Sequence, residues 1–139
     1  MPRMIFVNLP VSDLPKSMAF FKALGFEFNP QFTDDTAACM VVSDTIFAML
    51  LTHPKFAQFT PRPIADAKKS SEVLTAISLE SREMVDTLVA TAVKLGGREL
   101  REPEDHGFMY HRSIEDLDGH IWEWVWLNPD AAGQGGENA

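Results

Sequence analysis

Residues 116–127 read Asp116-Leu117-Asp118-Gly119-His120-Ile121-Trp122-Glu123-Trp124-Val125-Trp126-Leu127. The first four form a turn, because aspartate side chains bond to nearby backbone and glycine supplies the dihedral freedom of a tight reversal. The remainder alternates, with Ile121, Glu123, Val125 and Leu127 on one side and His120, Trp122, Trp124 and Trp126 on the other. A period of two predicts a strand over 120–127 with two unlike faces. The tryptophan stripe is expected to lie under a helix or a subunit. The other face places a carboxylate among three aliphatic groups, which makes Glu123 a candidate general base, general acid or metal ligand.

Working outward, residues 108–113 predict a partner strand and 98–101 a short, weak one. Before them, Gly96-Gly97 stops a helix whose two apolar rows are Met84, Leu88, Ala92 and Val85, Val89, Val93, with Ser81 as its cap and a strand over 73–79 ahead of it. The order is β-α-β-β-β. The first half predicts the same order. Ile5, Val7, Leu9 and Val11 alternate, Asp13 caps a helix with Pro15 in its first turn, and Gly25 stops it. Strands follow over 26–32, 37–43 and 46–52. Val11 and Leu79, like Asp13 and Ser81, stand 68 positions apart, whereas Asp44 and Asp118 stand 74 apart. A longer second helix and loop differences account for the increase, so the chain repeats a pattern more than it repeats residues. The expected organisation is a first module over 1–52, a proline-bearing connector over 53–72, a second module over 73–128 and a flexible tail over 129–139. Each module is too small for a comfortable core alone, so together they are expected to make one compact α+β domain.

Composition narrows the function. Twenty acidic against twelve basic side chains give a formal charge of −8, and no dense Lys/Arg block offsets it. Such a surface is not built to neutralise nucleic-acid phosphates or anionic lipid. The single cysteine, Cys39, forms no internal disulfide, lacks a basic neighbour that would activate it, and belongs to no Cys/His cluster. A reducing cytoplasm is the expected compartment. The apolar run near the N-terminus is too short for a signal peptide, and no segment approaches the roughly 18 apolar residues of a membrane helix.

The opening Phe6-Val7-Asn8-Leu9-Pro10-Val11-Ser12-Asp13-Leu14, then Ser17-Met18-Ala19-Phe20-Phe21 and Leu24-Gly25-Phe26, resembles the first module of the vicinal oxygen chelate superfamily. That group includes glyoxalases, bleomycin-resistance proteins, fosfomycin-resistance enzymes and extradiol dioxygenases. The closing Asp116-Leu117-Asp118-Gly119-His120-Ile121-Trp122-Glu123 resembles its Asp-Pro-Asp-Gly turn and the glutamate-bearing strand after it, with Leu117 in place of the proline. The resemblance covers residues 4–128. It implies two β-α-β-β-β modules forming a curved mixed sheet around a cleft, and a metal held by one inward residue on each of four strands.

On that pattern the first-strand ligand falls on Phe6 and its repeat on Leu74, while the last-strand glutamate is Glu123 and its repeat Met49, or Ala48 if the register slips. A single carboxylate among phenylalanine, methionine and leucine does not hold a divalent ion tightly, and a thioether suits copper(I). No metal ligand set and no cofactor are therefore expected, with a divalent metal as the alternative. Phe6, Met49 and Leu74 would instead floor a ligand cleft, with Asn8 and Glu123 as polar anchors. His111 joins them if the odd positions of 108–113 face inward, and Tyr110 if the even ones do. His53, His106 and His120 read as exposed or turn histidines. The expected function is binding of a small, partly apolar molecule in the inter-module cleft. The alternative is a glyoxalase-like lyase or isomerase, or a dioxygenase-type enzyme, using Glu123 as base or metal ligand. A small molecule is the expected partner, without nucleic acid or membrane, and the resemblance implies a homodimer.

Overall fold

In the first strand, β1 (Ile5–Val11), the alternation predicted from sequence buries Leu9 and Val11 and leaves Ile5 and Phe6 exposed. The computed structural model describes residues 2–130; of the tail expected over 129–139, everything from 131 on lies outside the described residues. Asp13 caps α1 (Leu14–Ala23) by accepting from the Lys16 N–H. Gly25 ends the helix at φ +101°, its N–H donating to the Lys22 carbonyl and that of Phe26 to the Phe21 carbonyl. β2 (Glu27–Phe28), β3 (Ala37–Val41) and β4 (Ile46–Thr52) complete a sheet in the order β1-β4-β3-β2, parallel only between β1 and β4. Val11, Ala38, Met40, Ala48 and Leu50 share one face and are almost fully buried, with α1 packed on β3 and β4.

The second unit repeats this. β5 (Leu74–Ser78) leads to α3 (Arg82–Lys94), capped by Ser81. Then come β6 (Arg98–Glu99), β7 (Glu104–Asp105), β8 (Met109–Glu115) and β9 (Ile121–Leu127). Their order is β5-β9-β8-β6, β7 pairs with β8, and only β5 and β9 run parallel. Val85, Leu88, Val89 and Ala92 of α3 are buried, as are Ile114, Trp122 and Trp124 of the sheet it packs on. The two indoles stack at 5.8 Å. The tryptophan stripe thus lies on the helix-covered side.

The chain divides into compact units Met1–Asp66 and Ala67–Ala139, and their ladders match position by position. Asn8 pairs with Met49, as Ala76, 68 further on, pairs with Glu123, 74 further on. Gly25 and Gly96, 71 apart, end the two helices in the same way. Half of the six-residue increase therefore lies in the helix, ten residues long in α1 and thirteen in α3.

Three predictions need correction. The strand expected over 26–32 stops at Phe28, because the Asn29 side chain accepts from the Gln31 N–H and Pro30 opens a 3-10 turn over Pro30–Phe32. The connector begins with a short helix, α2 (His53–Ala57), where Thr52 accepts from the Lys55 N–H and Pro54 fits the first turn. The loop after β6 holds the two-residue strand β7, which had not been expected at all. Among the described residues no helix is long and apolar enough to cross a membrane.

Candidate functional site

Pairing between β8 and β9 fixes the faces that periodicity left open. Ser113 lies opposite Glu123 and His111 opposite Val125, so Met109, His111, Ser113 and Glu115 share the Glu123 side. Leu74 and Ala76 of β5 join it through their partners Ile121 and Glu123. Tyr110, expected as an alternative lining residue, takes the other side: it pairs with Trp126, and its hydroxyl donates to Asp86 of α3. Neighbours in a strand point to opposite faces, so His111 and Tyr110 could not both face Glu123.

Glu123 is a partly buried carboxylate with three neighbours. Its Oε2 accepts from Ser113 Oγ at 3.1 Å and lies 3.7 Å from Arg101 Nη2, and its Oε1 lies 3.6 Å from His111 Nδ1. On the far side of His111, Nε2 lies 3.3 Å from Glu104 Oε2, an atom also approached by Arg101 Nη2 at 3.1 Å. His106 Nε2 is 3.9 Å from the other Glu104 oxygen, and the two imidazoles stack at 5.8 Å. Arg101, Glu104 and His106 gather around Glu123 and His111, a grouping the sequence reading did not foresee, although His106 is exposed as that reading expected. The spacing of two between Glu104 and His106 was a visible signal, but its meaning depends on β7 pairing with β8.

On the helix side of this sheet, ion pairs close the edge. Arg112 bonds Glu99 through two nitrogens at 2.8 Å and Asp86 at 2.8 Å. The Tyr110 hydroxyl, followed by Arg112, holds the Asp86 carboxyl below its ordinary pKa, whereas burial and then Asp86 raise that of the Tyr110 phenol.

In the first unit Phe6, Asn8 and Met49 share one face with Phe47, Leu51 and Cys39. The Phe6 ring stacks on Phe47 at 4.9 Å and remains 48% exposed. Cys39 is buried, which pushes its thiol pKa up and suits packing better than nucleophilic attack. Beside Asn8 and Leu51, α2 and the turn after it add Phe56, Phe59 and Thr60 to enclose a recess of about 410 Å³. Leu74, on the Glu123 face of the second unit, is 59% exposed.

Residues 3–43 match the model of the bleomycin resistance protein-like N-terminal family. A hypothetical protein from S. aureus is 29% identical, with 91% of this chain and 95% of that one aligned at a TM-score of 0.76. A glyoxalase/bleomycin resistance protein/dioxygenase family enzyme from Burkholderia phytofirmans is 16% identical over 91% of this chain and 100% of that one, at 0.74. Its residues 3–43 thus fit a bleomycin-resistance-like family model, and its fold is that of glyoxalase/bleomycin resistance/dioxygenase proteins. A genomically encoded fosfomycin resistance protein from Listeria monocytogenes, 18% identical over 92% of this chain and 93% of that one at a TM-score of 0.65, shares the fold. No curated protein matches. The metal that the resemblance implies does not fit the four positions it assigns in this chain. Phe6 and Leu74 bring no donor atom, Met49 brings only a thioether, and Glu123 alone is a ligand for a hard or borderline ion.

Proposed function

We propose that this chain is a member of the vicinal oxygen chelate superfamily that binds a small, partly apolar molecule, without a metal at the four superfamily positions. The recess beside Asn8 carries this reading. It is lined by Leu51, Phe56 and Phe59, has Asn8 and Thr60 as polar groups, and falls in the size range of small-molecule sites. The Asn8 amide donates only a long 3.4 Å bond to the Phe6 carbonyl, and its side-chain oxygen can accept from a ligand. The test is thermal melting of the full chain with compounds that join an apolar ring to a hydrogen-bonding group, bleomycin among them. A ligand at a hundred times its Kd adds about 2.7 kcal/mol of stability. Asn8→Leu should abolish the shift; if no compound raises the Tm, the reading fails.

The contact of Glu123 with His111 and Ser113 favours a second reading, a lyase, isomerase or dioxygenase-type enzyme with Glu123 as base. Turnover lost in Glu123→Gln, with folding retained, would support it. A homodimer in the cytoplasm completes the proposal; the single, buried Cys39 suits a reducing compartment, and sedimentation would measure the dimer.

A further inference from the structure

The second unit holds ligand atoms that lie outside the four superfamily positions. β7 places Glu104 opposite His111, and the strand period puts His106 on the same side. One carboxylate there meets two imidazoles, Oε2 at 3.3 Å from His111 Nε2 and Oε1 at 3.9 Å from His106 Nε2. One ligand atom from each of the three residues lies within 4.8 Å of the others. Donors around a tetrahedral zinc ion stand about 3.4 Å apart, so a small inward movement of exposed side chains would close the set. A second observation is independent of that spacing. The His111 side chain is nine-tenths buried, and its Nδ1 makes no hydrogen bond among the described residues, although Glu123 Oε1 faces it at 3.6 Å.

We infer that Glu104, His106 and His111 form a site for a borderline divalent ion, Zn²⁺ being the reference, with Glu123 as the outer carboxylate of His111. Two imidazoles and one carboxylate suit such an ion and leave a fourth position open. A metal-binding histidine usually donates its other N–H to a carboxylate, which fixes its ring and strengthens it as a donor. Glu123 Oε1 faces Nδ1 at 3.6 Å, and a slight approach on metal binding would let it accept the Nδ1–H, so the residue at the superfamily's ligand position here would orient a ligand. Glu104 and His106 are 39% and 44% exposed at the side chain, which gives an ion access. Arg101, 54% exposed and 3.1 Å from Glu104, is the built-in competitor: its charge satisfies the carboxylate until an ion displaces it.

The test is calorimetric titration of the untagged full chain with Zn²⁺ after dialysis against a chelator, with Co²⁺ absorption as a second readout. One equivalent should bind, and Co²⁺ should give the intense visible bands of a tetrahedral site. His106→Ala, at an exposed position that folding tolerates, should abolish saturable binding. Glu123→Gln should weaken it roughly tenfold to a hundredfold, and Arg101→Ala should tighten it. His53→Ala is the control and should change nothing. Failure to saturate at one equivalent, unchanged binding in His106→Ala, or equal loss in His53→Ala would each overturn the inference. Melting with an organic ligand is a separate measurement, so failure here leaves the recess beside Asn8 untouched.

Discussion

The two units are built on one ladder but carry opposite chemistry on the sheet face away from the helix. At a spacing of 74, Ala37, Cys39 and Met49 of the first unit correspond to His111, Ser113 and Glu123 of the second. On the helix-covered side the same spacing relates Ala48 and Leu50 to Trp122 and Trp124, all buried and apolar. The face under the helix specifies the fold, since burying it drives folding. The other face is then free to be apolar in one unit and ionisable in the other.

The largest difference should appear in the turn before the last strand of each unit. Asp116 is buried; its Oδ1 accepts from the Asp118 and His120 N–H groups at 2.9 and 3.0 Å, and its Oδ2 from Trp122 Nε1 at 3.0 Å. Val42 holds the matching position in the first unit, where the turn closes through backbone bonds to Ile46. Asp116→Ala removes three bonds to a carboxylate and should cost roughly 3 kcal/mol or more. Asp44→Ala, in the exposed turn of the first unit, should stay within about 0.5 kcal/mol. Denaturant melts of the two variants measure this directly, and equal losses would mean that the turns are held alike.

A smaller contrast lies at the helix ends. A Cβ on Gly97 would come within 2.9 Å of the Ala92 and Glu115 carbonyl oxygens, both backbone. The equivalent position in the first unit is Phe26, whose ring packs edge-on to Phe21 at 6.3 Å. Gly97→Ala should cost about 2 kcal/mol by overpacking. Gly25→Ala meets nothing within 4 Å and bears only the strain of its positive φ, about 1 kcal/mol. A Tm loss for Gly97→Ala no larger than that for Gly25→Ala would show that the Ala92 and Glu115 carbonyls yield to a Cβ.

Exchanging the face chemistry gives the next contrast. Cys39→Ser places a hydroxyl at a buried position of the apolar face and should cost about 1–2 kcal/mol. Ser113→Cys loses one bond to Glu123 and should cost about 1 kcal/mol or less. Chemical denaturation of both decides whether the faces differ in kind; a neutral Cys39→Ser would show that water reaches the first face.

Much of this organisation was legible in the residues. Asp13 and Ser81 as caps, Gly25 and Gly96 as stops and the Asp-Leu-Asp-Gly turn are local signals, each set by a few neighbouring atoms. That Phe6 and Asn8 share a face followed from the strand period, whereas Met49 was placed beside them by the resemblance and the repeat offset. What escaped depends on pairing between distant segments. In 108–113 both parities mix apolar and polar groups, Met109, His111 and Ser113 against Phe108, Tyr110 and Arg112, so no rule of period chooses between them. Glu104 and His106 become neighbours of His111 only because β7 pairs across a loop, and a two-residue strand leaves no pattern to read. The helix α2 escaped because Pro54 reads as a breaker until its place in a first turn is known.

The smallest effect concerns how each helix meets its sheet. In the second unit Tyr110 and Arg112 of β8 reach Asp86 of α3; the position matching Tyr110 in the first unit is Thr36, whose hydroxyl bonds Asp34 within its own turn. Tyr110→Phe should therefore cost about 1 kcal/mol or less at neutral pH, since Asp86 is half exposed and Arg112 still pairs with it. The pH dependence distinguishes this bond from mere packing. Asp86 is held below its ordinary pKa in the fold, so the stability it contributes is present above that value and is lost as acid protonates it. The Tyr110 phenol is held above its ordinary pKa, so its contribution is present below that value and is lost as alkali ionises it. Wild type and Tyr110→Phe should thus differ most between about pH 5 and 9 and converge at either extreme. A difference that stays constant across that range would mean the hydroxyl acts only by filling space, and the helix contacts of the two units would then be of one kind.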